Sequence, residues 1–244
     1  MSATSRDFLD GRQDIAPAGS LQPMSSDDRA AVTRGRPRIR SDRAILDAAL
    51  AAFASDGFEA MSVRRLNRDL GLSHGTVQQR FGSKAELFIA AVDSGLGRFV
   101  ADIVAELARR TIPGDDDVRT VWELVRAFLV VSSRTPMLAR LVSLEGMDAS
   151  PRLDHIFDHF IEPALRLIEP SLDRLADSGE FRRLPARAVF FLITGAGGAY
   201  SMRALAARFD GEDGPFDDVA HAELTADVVI AALRAVASTP WRRW

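Results

Sequence analysis

The sequence predicts an all-α fold, a three-helix unit followed by a longer helical body. Three observations predict it. No segment of the 244 residues alternates apolar and polar side chains with period two for long enough to make a strand. Apolar residues recur instead at helical spacing, as in Ile45, Ala48, Ala49, Ala52 and Phe53. Serines at 41, 62, 73 and 83 each stand just ahead of a helical segment, where a side-chain oxygen can satisfy the free N–H groups of a first turn.

Residues 1–33 mix Ser, Asp, Gly, Pro and Gln with few large apolar side chains, and they read as a disordered arm. Residues 34–40 form a basic arm around Arg34-Gly35-Arg36-Pro37-Arg38, where glycine and proline forbid a helix. Ser41 or Asp42 caps the first helix, which runs to about Ser55 and ends at Asp56-Gly57. Ser62 caps the second and Ser73 the third. Ser83-Lys84-Ala85-Glu86 has capping-box spacing for a fourth helix that runs to about Arg110, before Thr111-Ile112-Pro113-Gly114 breaks it.

The body over 85–237 reads as helix after helix. Val118 to Ser133 is one, Met137 to Gly146 a short second, and Pro151 to Ser178 a long third in which Pro163 and Pro170 predict a kink or a split. Pro185 to Phe209 is expected as a single helix, 210–215 as a loop, and Val219 to Ala237 as the last helix. Residues 238–244, ending Trp241-Arg242-Arg243-Trp244, read as an exposed tail.

Composition narrows the function. There is no cysteine, hence no disulfide framework, thiolate metal site or cysteine nucleophile. No apolar run approaches the ~20 residues of a membrane span, and the first stretch does not read as a signal peptide, so a cytoplasmic location is the expectation. No nucleophile–base pair or phosphate-binding glycine loop is legible, so neither an enzyme nor a cofactor is expected. The formal charge of −3 hides an asymmetry: residues 34–84 carry ten Lys/Arg against five acids, a local +5, which leaves −8 elsewhere. A basic block on an acidic body predicts a face for a polyanion.

Within that block, Leu66, Leu70, Leu72 and Val77 have the spacing of an apolar clamp between two short helices, with Gly71 at the turn. This is the pattern of a helix-turn-helix, whose second helix reads DNA in the major groove. The exposed face of that helix would carry His74, Thr76, Gln78, Gln79 and Arg80. Gln and Arg can pair bidentately with adenine and guanine edges. Thr76 and backbone N–H groups near the helix start suit phosphate, Ser62 and Ser73 are further DNA-binding candidates, and Lys84, the only lysine in the chain, can reach the DNA backbone as a point charge. In the arm, Arg34, Arg36 and Arg38 resemble the core of an AT-hook, which places arginines in the narrow minor groove of A·T-rich DNA; a solvated linker is the other reading.

Gly71-Leu72-Ser73, Gly75-Thr76, Phe81 and Ser83-Lys84, set at their distance from Gly57-Phe58, resemble the DNA-binding domain of the TetR family of bacterial regulators. The resemblance covers roughly residues 41–90, about a fifth of the chain. Its helix-turn-helix domain would be residues 41–84, followed by a helical ligand-binding and dimerisation domain. Three positions depart from the family: it usually has alanine where Asn67 stands, often tyrosine at Gln78, and tyrosine or histidine at Arg80. A buried Asn67 needs a hydrogen-bond partner or costs ~1–3 kcal/mol.

The resemblance implies a small-molecule pocket in the middle of the body. Candidates to line it are Trp122, Phe128, Met137, Leu141, Met147, Phe157, Phe160 and Phe191, each of which also reads as ordinary core. It also implies a homodimer whose last two long helices form a four-helix bundle with those of the partner. Val189, Leu192, Ala196 and Ala199 on one helix, and Leu224, Val228 and Ala232 on the other, are the candidate interface. The run Gly195-Ala196-Gly197-Gly198-Ala199 would permit close approach, at a cost in helix stability. His155, Asp158, His159 and Glu162 fall on one helix face, which suits either a divalent cation or a solvated surface; no metal site is assigned to them. The expected function is therefore a ligand-responsive transcriptional regulator, a homodimeric repressor released from a near-palindromic double-stranded DNA operator by a small apolar effector. An architectural protein of A·T-rich DNA, without an effector, is the alternative.

Overall fold

The computed structural model describes residues 40–110 and 116–237, and every regular element among them is helical. Helix α1 (Asp42–Ala60) starts at Ser41, whose Oγ accepts from the Ala44 N–H at 3.2 Å, and turns sharply at Gly57, where φ is +75°. Only glycine adopts that conformation without a Cβ penalty. Helix α2 (Val63–Asp69) is capped by Ser62, α3 (Thr76–Phe81) follows the turn, and α4 (Lys84–Ala108) carries the predicted capping box: the Ser83 N–H donates to Glu86 Oε2 at 2.7 Å and the Glu86 N–H to Ser83 Oγ at 3.2 Å. The bonds from Ser83 hold the Glu86 carboxyl below its ordinary pKa.

The body continues with α5 (Asp117–Arg134), α6 (Pro136–Glu145), α7 (Pro151–Ile156) and α8 (Glu162–Asp177). The split expected near the prolines falls between α7 and α8, where Phe157–Ile161 form a π-helical turn. Pro163 has no N–H to give to the preceding turn and its ring crowds that turn's carbonyl; the wider π turn, closed by the Glu162 N–H on Phe157 O, absorbs the mismatch. The single helix expected over 185–209 is instead broken into α9 (Ala186–Ala196), α10 (Gly198–Ser201), α11 (Arg203–Ala206) and a 3-10 turn, and α12 (Asp210–Asp213) occupies part of the expected loop. The glycine run fails to hold one axis, as its backbone entropy predicts, and a second break falls at Met202. Helix α13 (Asp218–Ala237) closes the described part.

Two apolar cores form. The first centres on Ile45, Phe53, Leu66, Val77, Phe88 and Val92 of α1–α4 and also takes in Leu138, Leu141 and Ile156 from α6 and α7. Phe53, Phe58 and Phe88 pack ring on ring at 5.0–5.8 Å. The second joins Val121, Val125 and Leu129 of α5 to Ala222, Ala226, Val229 and Leu233 of α13. Tyr200 is buried in it and donates to the Asp218 carbonyl at 3.0 Å, which pins the broken segment to the first turn of α13.

Between α4 and α5 lies a buried ion cluster. The Arg126 guanidinium, 2% exposed, donates to Glu106 Oε1 at 2.9 Å and to Glu123 Oε2 at 3.1 Å. Glu123 also meets Arg119 at 2.5 Å and Arg110 at 3.6 Å, and Glu106 meets Arg134 at 3.4 Å. Burial pushes the Glu106 carboxyl up, but Arg126 and Arg134 outweigh it, so the group sits below its ordinary pKa.

The body also grips the corner where α1 ends. Arg140 of α6 donates to the Ser55 carbonyl at 3.1 Å, and Arg152 of α7 lies 3.8 Å over the Phe58 ring while pairing with Glu145 at 2.8 Å.

Candidate nucleic-acid interface

The turn between α2 and α3 is held by backbone bonds: Gly71 N–H to Arg68 O at 3.0 Å and Leu72 N–H to Asn67 O at 2.9 Å. Gly71 takes φ +66°, the left-handed conformation the turn requires. Val77 is fully buried and Leu66 nearly so, while Leu70, Leu72 and Phe81 pack against the same core. That anchoring turns the opposite face of α3 to solvent.

The third helix is capped differently from the prediction. Gly75, at φ +86°, occupies the N-cap position, and the Ser73 hydroxyl is paired with Thr76 Oγ1 at 2.6 Å instead of the helix N–H groups. A cap arrives from outside the helix: Asn67 Oδ1 accepts from the Val77 N–H at 3.1 Å, while its Nδ2 donates to Val63 O at 3.1 Å. The buried Asn67 is thus satisfied at both ends of its amide.

The predicted reading residues separate into two groups. His74, Gln78 and Gln79 are exposed, and their side chains bond to nothing among the described residues. Thr76 is half-buried and tied to Ser73, and the Ser62 hydroxyl caps α2 through the Arg65 N–H at 3.3 Å. Arg80 is not free to read a base: its guanidinium turns back to the start of α1 and donates to Arg40 O at 2.7 Å and Asp42 Oδ1 at 2.5 Å. Its place in the last turn of α3, next to the chain entering α1, accounts for this. Lys84 is also engaged, with Nζ on Glu59 O at 3.0 Å and 4.8 Å from the centre of the Phe58 ring. Arg34, Arg36 and Arg38 lie outside the described residues.

One cation escaped the sequence reading. Arg64 of α2 is exposed and unpaired among the described residues, and it lines a shallow cleft of about 220 Å³ with Asn67, His74 and Gln78. Its neighbours on α2 are spoken for: Arg65 pairs with Asp56 and Asp69, and Arg68 with Asp69. The signal was legible in the spacing, because position i+4 from Arg65 is Asp69 whereas from Arg64 it is Arg68.

The eight pocket candidates are not brought to one cavity. Leu141 is buried in the first core with Phe160 packed beside it, while Trp122 and Phe128 pack against the second. Met137, Met147, Phe157 and Phe191 are exposed. Two cores divide residues that look alike in sequence. Trp122 instead borders an open surface concavity of about 490 Å³ with Asp116, Glu180 and Arg234, and its Nε1 donates to Asp227 at 2.7 Å. Of the interface candidates, Leu192, Leu224 and Val228 are exposed, and Phe191 joins them. Val189 is buried in its own chain, and Ala196, Ala199 and Ala232 are half-buried. The His155 and His159 rings stack at 4.2 Å instead of converging on a point, and His155 Nε2 is held by Asp93 of α4 at 2.7 Å.

Comparison with known proteins meets this geometry. Residues 45–91, which span α1 through the first turns of α4, match the family of bacterial regulatory proteins called the tetR family. The transcriptional repressor AcnR of Corynebacterium glutamicum is 29% identical over 154 residues, 62% of this chain and 74% of that one. In the solved structures, a tetR-family regulatory protein from Rhodococcus RHA1 superposes with a TM-score of 0.56 at 21% identity, covering 80% of this chain and 98% of that one. FadR of Bacillus subtilis, solved with stearoyl-CoA, does so with a TM-score of 0.53 at 17% identity, covering 77% and 96%. Residues 45–91 thus form a capped helix-turn-helix of the tetR type with a free polar reading face, on an all-helical body whose fold the solved structures share, and these similarities support a DNA-binding regulator of the TetR family.

Proposed function

We propose that the chain is a homodimeric repressor that occupies a near-palindromic operator and releases it when a small apolar effector enters the helical body. The observation that carries this reading is the free face of α3, where His74, Gln78 and Gln79 project without internal partners beside the unpaired Arg64. Gln78 and Gln79 read base edges, with adenine their best bidentate partner. Arg64, Ser73 and Thr76 meet phosphate, and Lys84 can leave Glu59 to do the same. Arg34, Arg36 and Arg38 extend the contact into a narrow minor groove of A·T-rich DNA, where arginine is favoured.

A dimer is supported by the uncovered apolar side chains Phe191 and Leu192 of α9 and Leu224 and Val228 of α13. Two reading helices on one two-fold axis require half-sites about 34–36 Å apart or somewhat wider. Effector release is supported by the grip of Arg140 and Arg152 on the α1 corner, which joins any movement of α6 or α7 to the reading unit. A 100-fold release needs ~2.7 kcal/mol of differential binding, within ordinary allosteric coupling. The test is selection from random duplex DNA by the full chain, followed by a screen for small molecules that release the selected site, with stearoyl-CoA among the first probes. A palindromic consensus is expected. Recovery of A·T-rich DNA with no palindrome would favour the architectural alternative.

A further inference from the structure

We propose that Asn67 is a positioning residue that caps the reading helix in trans and thereby sets which bases Gln78 and Gln79 meet; this rests on the DNA-reading role just proposed. Helix α3 is six residues long, too short to hold its own conformation. Its N-cap is a glycine without a side chain, and the nearest hydroxyl, Ser73, is already paired with Thr76. The Val77 N–H, one of the donors a first turn leaves unmatched, is answered by Asn67 Oδ1 at 3.1 Å.

The amide cannot be reversed, because Nδ2 is used by Val63 O at 3.1 Å; the oxygen must face α3. The main chain of the same residue holds the turn through the Leu72 N–H at 2.9 Å. Asn67, 4% exposed, therefore ties together the first turn of α2, the inter-helix turn and the first turn of α3. Gln78 and Gln79 follow Val77 directly, so their height and rotation over the groove are those Asn67 fixes. Phosphate contacts from Arg64 and the arm tolerate small rotations, whereas a bidentate amide–adenine pair does not.

The readout is consequently the ratio of affinity for the selected site to affinity for unrelated duplex. It is measured for the full chain at a temperature where circular dichroism shows each variant folded. Asn67→Ala is expected to lower that ratio about tenfold, with unrelated-duplex affinity changed less than about twofold. Asn67→Asp gives up the donor to Val63 O but keeps the acceptor for Val77, the bond that sets α3, and any added repulsion from DNA acts on all sequences alike, so its ratio is expected to stay within about threefold of the parent. If Asn67→Ala does not fold, Asn67→Ser takes its place, since its shorter side chain does not reach the Val77 N–H that Asn67 Oδ1 accepts from. A parental ratio in folded Asn67→Ala or Asn67→Ser, or an equal fall on both DNAs, overturns the proposal and leaves DNA reading intact. A parent protein that selects no site overturns the reading itself.

Discussion

Replacing Arg126 with alanine removes the central member of the buried ion cluster. Glu123 is fully buried and Glu106 nearly so, and each loses its strongest interior partner, at 3.1 and 2.9 Å. Breaking a buried pair in this way costs about 3–5 kcal/mol, because a charge is left without compensation. Arg119, Arg110 and Arg134 remain close to the two carboxylates, which favours the lower end of that range. For a chain of this size the loss corresponds to a fall of roughly 10 °C in Tm.

The pH dependence gives a second signature. In the intact protein the Glu106 carboxyl lies below its ordinary range, so its contribution is present at neutral pH and is lost as pH falls through and below the ordinary carboxylate range. Without Arg126, burial, the largest influence on that group, is opposed among the described residues only by the more exposed Arg109, at 3.1 Å, and Arg134, at 3.4 Å. The carboxyl then moves upward, the folded state binds protons more readily than the unfolded one, and the deficit narrows as pH is lowered from 7 to about 5. Thermal unfolding of the parent and Arg126→Ala at both pH values is the assay. A fall of under about 2 °C at pH 7, or a deficit that widens toward pH 5, would refute the assignment of these carboxylates as buried charges held by Arg126.

The remaining predictions concern the two surfaces. Gln79→Ala relaxes base preference and costs about 1–3 kcal/mol at its base pair, whereas Arg80→Ala weakens binding without changing the selected sequence, because that arginine fastens Arg40 and Asp42; parallel selections decide between them. Arg64→Ala lowers affinity for all duplexes and reduces the slope of log affinity against log salt by about 0.9, and an unchanged slope would remove Arg64 from the phosphate contacts. Leu224→Asp sediments as a monomer at micromolar concentration and loses operator binding; a parent-like sedimentation coefficient would rule this face out as the dimer contact.

Helix starts were the most legible part of the sequence, because Ser41, Ser62 and Ser83 cap through bonds spanning three residues. The capping of α3 was not, since its cap comes from a residue ten positions earlier and depends on how two helices cross. The apolar clamp and the exposure of Gln78 and Gln79 were readable from spacing alone. The retreat of Arg80 was not, because Asp42 is distant in sequence and only folding brings it near. In the body, helix existence was readable but not its continuity past Gly197. The pocket residues were the least readable, because an aromatic side chain at helical spacing gives no sign of which of two cores will receive it.

Leu138, Leu141 and Ile156 fill the first core from well beyond the helix-turn-helix. A fragment cut after Lys84 would open holes on the underside of its own reading unit. Exchanging DNA specificities between related regulators at that seam would therefore give poorly folded chimeras. A workable graft would either carry α6 and α7 with the head or leave the head in place and recode Gln78 and Gln79 alone.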